Sequence, residues 1–452
     1  MSLRIDARAA RQTLALWDET ALRAAETHWA ARLPAHGLMQ RAGEAAARLL
    51  RARWPHARRV LVLAGPGHNG GDGLAAAAWL ARQAHGPRLQ VVLVGCGDPA
   101  QWAPARRPAG WCWAFEQARA AGLQPLPWQE IDPQALLGDS DVVLDALLGL
   151  GLREAPRAQL AAAVESLAAA PARPPVLAID LPSGLSGASG AAPGALVRAD
   201  VTLAMLGLQP GHVTGPDTDA CGELWLDGLG ADPRATDLAP VALWGGADDA
   251  LRALPAPEQA AHKGTRGDVR VFGGGAGMAG ALWLAARAAL VLGAGRVFAA
   301  GFDPHVAGLD PCYPEIMSRE PEQLLEQARG SAGARACLVF GPGSGQSHQA
   351  LRCLVELLPL EQPLVIDADG LNLLAAQPHD GSAWQALRAR SAPTWLTPHP
   401  TEAGRLLGVD TATIQADRLG AARRLHDLSG ARIVLKGAGS VVLGPHAQAW
   451  IN

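Results

Sequence analysis

Short apolar runs that close on Gly, Asp or Pro alternate along the chain with longer Ala-, Leu- and Arg-rich stretches whose apolar positions recur at helical period. Runs of that length bounded by turn residues read as buried strands, and their alternation with helices reads as α/β units around a parallel sheet. The first half supplies Val60 to Leu63, Gln90 to Val94, Val142 to Leu144, Val176 to Ile179 and Val201 to Met205. The second supplies Val269 to Phe272, Ala336 to Phe340, Leu364 to Ile366, Thr394 to Leu396 and Ile433 to Leu435. Residues 1–55, with Leu14, Leu22, Leu38, Leu49 and Leu50, predict helices packed onto the first domain. Between Gly228 and Gln259 the pattern lapses into Gly-Leu-Gly-Ala-Asp-Pro and Leu-Pro-Ala-Pro-Glu-Gln, which is linker chemistry. Two three-layer α/β domains are therefore expected, at residues 1–227 and 260–452, joined by residues 228–259.

Composition narrows the class. Lys+Arg 39 against Asp+Glu 42 leaves a net charge of -3, so no basic surplus points to nucleic acid or an anionic membrane. Hydrophobic residues at 49% against 18% charged supply large cores and argue against disorder. The longest apolar stretch, Trp283 to Phe302, carries Arg287 and Arg296, which a bilayer would reject. The mixed-charge start, Met1-Ser-Leu-Arg-Ile-Asp-Ala-Arg, lacks a secretory h-region, so a cytoplasmic protein is expected. Six scattered cysteines form no C-x-x-C pair and read as reduced, mostly buried thiols.

Candidate chemistry sits where strands end. After Val60-Leu-Val-Leu-Ala comes Gly65-Pro-Gly-His-Asn-Gly-Gly-Asp-Gly73, and Gly65, Gly67 and Gly70 match G-x-G-x-x-G at a strand-to-helix junction. Such a junction favours a phosphate, or is simply a tight turn. Asn69 and Asp72 speak against an ordinary dinucleotide loop, because a carboxylate repels pyrophosphate. Asp145-Ala-Leu-Leu-Gly and Asp180-Leu-Pro-Ser-Gly also begin at strand ends. An aspartate there can cap a helix, but in open α/β sheets these ends form the ligand crevice. Asn69, Asp72, Asp145, Asp180 and Ser183 can then share one polar cavity, whose oxygen ligands suit a hard cation better than zinc.

Leu38-Met-Gln-Arg-Ala-Gly43, Gly65 to Gly73, Asp145-Ala-Leu-Leu-Gly and Ala178-Ile-Asp-Leu-Pro-Ser-Gly184 together resemble the NAD(P)HX epimerase domain, the YjeF N-terminal domain, over nearly the whole first half. The resemblance implies a Rossmann-like fold and a potassium ion (K+) held by Asn69, Asp145 and Ser183. It implies substrate contacts at His68, Asn69, Gly70, Gly71, Asp72, Gly149, Leu150, Gly151, Leu152, Arg153, Glu154, Ala155 and Asp180. His68 and Gln40 depart from the asparagine and glutamate common in that family. The hydrate of a nicotinamide carries its hydroxyl on the carbon beside the ring nitrogen, whose lone pair can expel it and let water return on either face. One group must then give and take a proton, with Asp180 the candidate and Asp72 the alternative.

In the second half, Gly273-Gly-Gly-Ala-Gly-Met-Ala-Gly-Ala281 repeats the glycine pattern through Gly275, Gly277 and Gly280. Phe340-Gly-Pro-Gly-Ser-Gly-Gln346, Ile366-Asp-Ala-Asp-Gly-Leu-Asn372 and Leu396-Thr-Pro-His-Pro-Thr-Glu402 follow apolar strands, and Val434-Leu-Lys-Gly-Ala-Gly-Ser440 places a lysine where a nucleotide phosphate could bind, or in a solvent-facing hairpin. These segments resemble the ADP/ATP-dependent NAD(P)H-hydrate dehydratase domain, with a ribokinase-like fold. That resemblance implies hydrate contacts at Ala281, Gly345 and His399 and nucleotide contacts at Lys436, Gly437, Ala438, Gly439 and Ser440, with ADP or ATP, and Mg2+, as cofactors. Members of that family continue into a glycine-rich segment ending G-x-G-D, which supplies an anion hole and the catalytic base. No G-x-G-D occurs in the second half before Asn452, so the dehydratase domain is expected to be incomplete at its C-terminal end and impaired in dehydration.

The combined reading is a nicotinamide-nucleotide repair enzyme acting on NADHX and NADPHX, with no nucleic acid or membrane partner, and expected to be a homo-oligomer. A ribokinase-like small-molecule kinase with an accessory Rossmann-like domain accounts for the second half but leaves the oxygen ligands around Asn69 unexplained. A non-catalytic nucleotide-binding protein is the other alternative.

Overall fold

The apolar runs of the first half become strands in a computed structural model that describes residues 2–6, 11–96, 107–169, 173–254, 256, 259–306, 308–330 and 335–452. The chain divides into two units, Met1–Leu251 and Arg252–Trp450. The first contains β1 (Leu3–Ile5), β2 (Thr13–Leu16), β3 (Arg59–Ala64), β4 (Arg88–Leu93), β5 (Leu126–Pro127), β6 (Val142–Ala146), β7 (Val176–Ile179), β8 (Val201–Met205), β9 (Glu223–Asp227) and β10 (Ala242–Gly245). Eight of these form a sheet in the order β1-β9-β8-β7-β6-β3-β4-β5, parallel except at the antiparallel β1·β9 edge. Strands β2 and β10 pair antiparallel.

Helices α1 (Glu19–Ala30), α2 (Gly37–Arg53), α3 (His68–Ala81), α4 (Ala109–Ala120), α5 (Pro133–Gly138), α6 (Ala158–Ala169) and α7 (Ala247–Ala253) complete the first unit. The sheet is apolar on both faces because each is covered. Val60 and Val62 pack with Leu50 and Leu74 from α2 and α3, while Leu61 and Leu63 turn to Leu137, Val164 and Leu167 from α5 and α6. Full burial of each such leucine is worth roughly 1.5–3 kcal/mol. Helix α1 starts at Asp18, whose side chain accepts the Ala21 N–H at 2.8 Å.

Residues 1–55 carry strands β1 and β2 besides the predicted helices, and residues 228–259 carry β10 and α7 rather than irregular chain alone. These short strands pair antiparallel, β1 on β9 and β2 on β10, and pairing with a partner, rather than a long apolar run, decides their conformation.

The second unit contains β11 (Asp268–Gly273), β12 (Arg296–Gly301), β13 (Met317–Arg319), β14 (Ala336–Phe340), β15 (Leu364–Ile366), β16 (Thr394–Leu396), β17 (Arg432–Leu435), β18 (Val441–Leu443) and β19 (Ala449–Ile451). From β13 the order runs β13-β12-β11-β14-β15-β16-β17 in parallel, and β18 continues antiparallel. Its helices are α8 (Ala279–Val291), α9 (Pro321–Arg329), α10 (His348–Leu357), α11 (Asp369–Ala375), α12 (Ser382–Arg388), α13 (Pro400–Leu407), α14 (Thr411–Ala416) and α15 (Arg418–Ser429). All six cysteines are free, with Cys96, Cys221 and Cys353 buried and Cys312 exposed. Among the described residues no helix is long and apolar enough to cross a membrane.

Candidate active site

Strand order reverses between β3 and β6, the position at which open α/β sheets form a ligand crevice beyond their C-terminal strand ends. The loop after β3 turns at Gly65 into the first turn of α3, and the loop after β6 runs against it. A Cβ on Gly65 would stand 1.8 Å from the Leu147 carbonyl oxygen, so the close approach of the two loops requires glycine there. Trp111 Nε1 donates to the Gly65 carbonyl at 2.9 Å and fixes the loop from α4.

Around this crevice Asn69, Asp145 and Ser183 form one continuous network. Asn69 Nδ2 donates to the Leu148 carbonyl at 2.7 Å, and Leu148 N–H donates to Ser183 Oγ at 2.9 Å. Ser183 Oγ donates to Asp145 Oδ1 at 2.6 Å, and Ser183 N–H donates to Asp145 Oδ2 at 2.8 Å. All three side chains are buried. Burial pushes the Asp145 carboxyl up to about 6 against the lowering effect of the Ser183 and Leu147 bonds. One oxygen of the set, Asn69 Oδ1, is buried without a partner.

A cavity of about 270 Å3 opens beside this network, lined by Arg23, Glu26, His68, Asn69, Asp72 and Asp180 among others. Asp180 follows the last residue of β7. Its Oδ2 accepts the Leu150 N–H at 3.1 Å, while Oδ1 is buried without a partner. A Cβ on Gly149 would meet Asp180 Oδ2 at 3.1 Å and Asn69 Cγ at 3.2 Å, which places both polar side chains against one stretch of backbone. Burial, reinforced by the Glu26 carboxylate, pushes the Asp180 carboxyl up to about 7. Asp72 is raised well above the usual range by burial and by Glu26 and Asp180, and Glu26 is itself raised by burial. Three carboxyl groups thus share a site in which they cannot all ionise at neutral pH. A carboxyl near 7 can act both as acid and as base there.

His68 and Asp72, from the first turn of α3, and Gly149 and Leu150 line the cavity as well. Gly70 and Gly71 are buried in the same turn. Arg153 and Glu154 instead face solvent, Arg153 lying 3.8 Å from Glu19 and Glu154 pairing with Arg157. Gly151 carries φ 91 and also approaches Glu19, and Ala155 packs near Gly194. Gln40 lies exposed on α2. Sequence reasoning missed Glu26, Arg23, Met205 and Leu206 in the lining. Glu26 belongs to a helix read only for its packing, and its helical spacing carries no sign that it reaches across to the ends of β6 and β7.

The second unit repeats the reversal between β11 and β14. Ala281 lies in the first turn of α8, beside the β11 loop, and Gly345 N–H donates to Asp369 Oδ2 at 3.0 Å. His399 caps α13 through Nδ1, which accepts the Thr401 N–H at 3.1 Å, and its Nε2 lies 3.2 Å from Glu402 Oε1. Lys436 Nζ donates to Asp367 Oδ1 at 2.7 Å, an oxygen that also accepts Thr397 Oγ1–H at 2.8 Å. The buried Arg418 donates through Nη2 to the carbonyls of Leu435, Lys436 and Gly439, at 3.3, 3.3 and 3.2 Å. Gly437 and Gly439 both take positive φ in this loop. Asp367, Thr397 and Arg418 were not singled out from sequence, because their partners lie on separate strand ends.

Two parallel α/β units whose polar and glycine-rich loops leave the C-terminal ends of their strands are of the class that binds nucleotide-like small molecules there. Residues 35–211 match the family described as YjeF-related protein N-terminus, and residues 269–452 match the family described as NAD(P)H-hydrate dehydratase. The bifunctional NAD(P)H-hydrate repair enzyme Nnr of Escherichia coli is 36% identical over 414 residues, 91% of this chain and 74% of that one. The corresponding enzyme of Coxiella burnetii is 37% identical over 413 residues, 90% of this chain and 78% of that one. A solved ADP/ATP-dependent NAD(P)H-hydrate dehydratase from Bacillus subtilis, co-crystallised with ATP/Mg2+, is 26% identical with a TM-score of 0.37, covering 44% of this chain and 68% of that chain. The chain belongs to the family of bifunctional NAD(P)H-hydrate repair enzymes, with an epimerase domain and a dehydratase domain.

Proposed function

We propose that Asp180 is the acid and base of epimerisation and that Asp72 tunes it. The observation that carries this reading is the buried, unpartnered Oδ1 of Asp180, a residue that lines the cavity. Protonated Asp180 gives its proton to the ring hydroxyl of the hydrate as the nitrogen lone pair breaks the C–O bond. Water leaves, and a planar iminium remains. Water then attacks either face while the Asp180 carboxylate takes back the proton, so atoms and charge balance over the cycle. A pKa near the operating pH suits both half-reactions.

The oxygens of Asn69, Asp145 and Ser183, with the Leu148 carbonyl, are the set proposed to hold K+. The buried, unpartnered Asn69 Oδ1 fits a hard cation, which would satisfy it and stabilise the Asp145 carboxylate. K+ would supply a fixed positive field beside the substrate. His68, Asp72, Gly149 and Leu150 would contact the hydrate directly, and residues 151–155 would reach only its outer parts.

The epimerase domain is proposed to span residues 1–227 and the dehydratase domain residues 260–452, with 228–259 between them. In the second domain ADP or ATP, with Mg2+, would supply a phosphoryl group to the ring hydroxyl, and loss of phosphate together with a proton from the neighbouring ring carbon would restore the dihydronicotinamide. Ala281, Gly345 and His399 would face the hydrate and Lys436–Ser440 the nucleotide. Lys436 must exchange Asp367 for phosphate when the nucleotide binds. Asp367 and Asp369 supply the oxygen chemistry that Mg2+ requires.

The first reaction is tested by epimerisation in H2(18)O. Expulsion and return of water predict that 18O enters both epimers at the epimerisation rate, and that Asp180→Asn lowers both processes together by about 100-fold or more. Epimerisation without 18O uptake would overturn the mechanism.

A further inference from the structure

We infer that His212 is a positioning residue for epimerisation, holding the main chain of Asp180 in the strained turn that presents its carboxyl to the cavity. The inference rests on the reading of Asp180 as acid and base, and it assigns work to a residue that does not touch the substrate: among the described residues His212 is not part of the cavity lining.

Asp180 is a non-glycine residue at φ 66, in the left-handed region. Leu181 N–H donates to the Ile179 carbonyl at 2.8 Å, so Asp180 is the central residue of a three-residue turn closed over its own Cα. Such turns are strained and persist only where the surroundings over-determine them. Two bonds are visible on the Asp180 main chain. Its N–H donates to the Leu203 carbonyl at 2.8 Å, as a continuation of the sheet. Its carbonyl lies 2.8 Å from His212 Nε2.

The imidazole is wired for this bond. Gln209 N–H donates to His212 Nδ1 at 2.9 Å, so Nδ1 carries no proton. The remaining proton of a neutral ring must then sit on Nε2, the nitrogen that faces the Asp180 carbonyl. His212 is 3% exposed, and the short helical turn Pro210–His212 fixes it from the segment that follows β8. Gln209 N–H thus selects the tautomer, the tautomer supplies the donor, and the donor holds the turn. With the turn released, the backbone relaxes toward negative φ, and the Asp180 carboxyl swings off the direction in which its Oδ2 meets the Leu150 N–H.

The two nitrogens can be separated by substitution. Asparagine places an amide oxygen near the position of Nδ1 and keeps the acceptor for Gln209. Glutamine places an amide nitrogen near the position of Nε2 and keeps the donor for Asp180. Steady-state epimerisation and thermal unfolding are measured on the full chain for His212→Asn, His212→Gln and Asp180→Asn.

His212→Asn is expected to lose about tenfold or more in kcat with KM within about twofold, because a misaligned acid affects the transition state more than ground-state binding. His212→Gln is expected to stay within about threefold of the parent kcat even where its stability falls. A kcat that follows thermal stability across the two variants, or an equal loss in both, would reduce His212 to a packing residue and overturn the inference. Should His212→Asn not fold, His212→Gln decides alone, and loss of its kcat per folded molecule overturns the inference. Full activity of Asp180→Asn defeats the underlying reading instead. Inactive Asp180→Asn beside a fully active, folded His212→Asn defeats the His212 inference alone.

Discussion

At the scale of single residues the site is a balance of buried charge. Asp180 has a folded pKa of about 7 against about 4 for an ordinary aspartate. Between those values the folded chain keeps a proton that the unfolded chain has released. Stability contributed by this group is therefore full at acid pH and is lost as pH rises through 7. Asp180→Asn should accordingly stabilise the first unit on the order of 2 kcal/mol more at pH 8 than at pH 5, measured as the difference in urea unfolding free energy from the parent. An equal effect at both pH values would mean that Asp180 is not raised. Asn69 carries the second prediction. If its buried Oδ1 takes part in holding K+, replacing NaCl by KCl should raise the parent Tm, and Asn69→Leu should abolish that rise. A K+ response that survives in Asn69→Leu would remove it from the ligand set.

At the scale of elements, the site depends on two loops pressed together at the switch in strand order. Gly65→Ala would drive a methyl into the Leu147 carbonyl, a backbone atom with no freedom to withdraw. A loss of about 3 kcal/mol in the first unit and a matching fall in epimerisation are expected, read by urea unfolding and by initial rates. Stability unchanged within error would mean that the loops can part without consequence. These elements were the legible ones. Val176–Ile179, Val201–Met205, Ala336–Phe340, Leu364–Ile366 and Thr394–Leu396 are strands with the bounds their apolar runs predict. Central parallel strands are buried on both faces, so their sequence alone marks them. Leu3–Ile5, Thr13–Leu16 and Ala242–Gly245 are held by antiparallel pairing and are too short to be recognised before the partner is known. Asn69, Asp180 and Ser183 were legible for the same reason as the central strands, because each follows one of them, and Asp145 was legible beside them, although β6 continues one residue past it to Ala146. Glu26 and His212 were not, since their contribution is a contact made across the fold: Glu26 from α1 to the carboxyl pair, His212 to one carbonyl.

At the scale of the whole molecule, one chain carries two α/β units, each with polar loops that leave the C-terminal ends of its parallel strands. The two sites differ in what they prepare. The first gathers carboxyls that burial and mutual repulsion keep partly protonated, with an oxygen network beside them, as proton transfer at a ring carbon needs. The second presents a lysine on a glycine-rich loop whose carbonyls Arg418 holds on one side, as phosphate binding needs. On this account the first site works without nucleotide. The most direct test follows the pure S-epimer of the NADH hydrate by chromatography in K+ buffer, without ADP or ATP, comparing the parent chain with Asp180→Asn. The R-epimer is expected to accumulate to equilibrium with the parent and at no more than the uncatalysed rate with the variant. Equal rates for the two proteins, or an R-epimer that appears only when nucleotide is added, would contradict it.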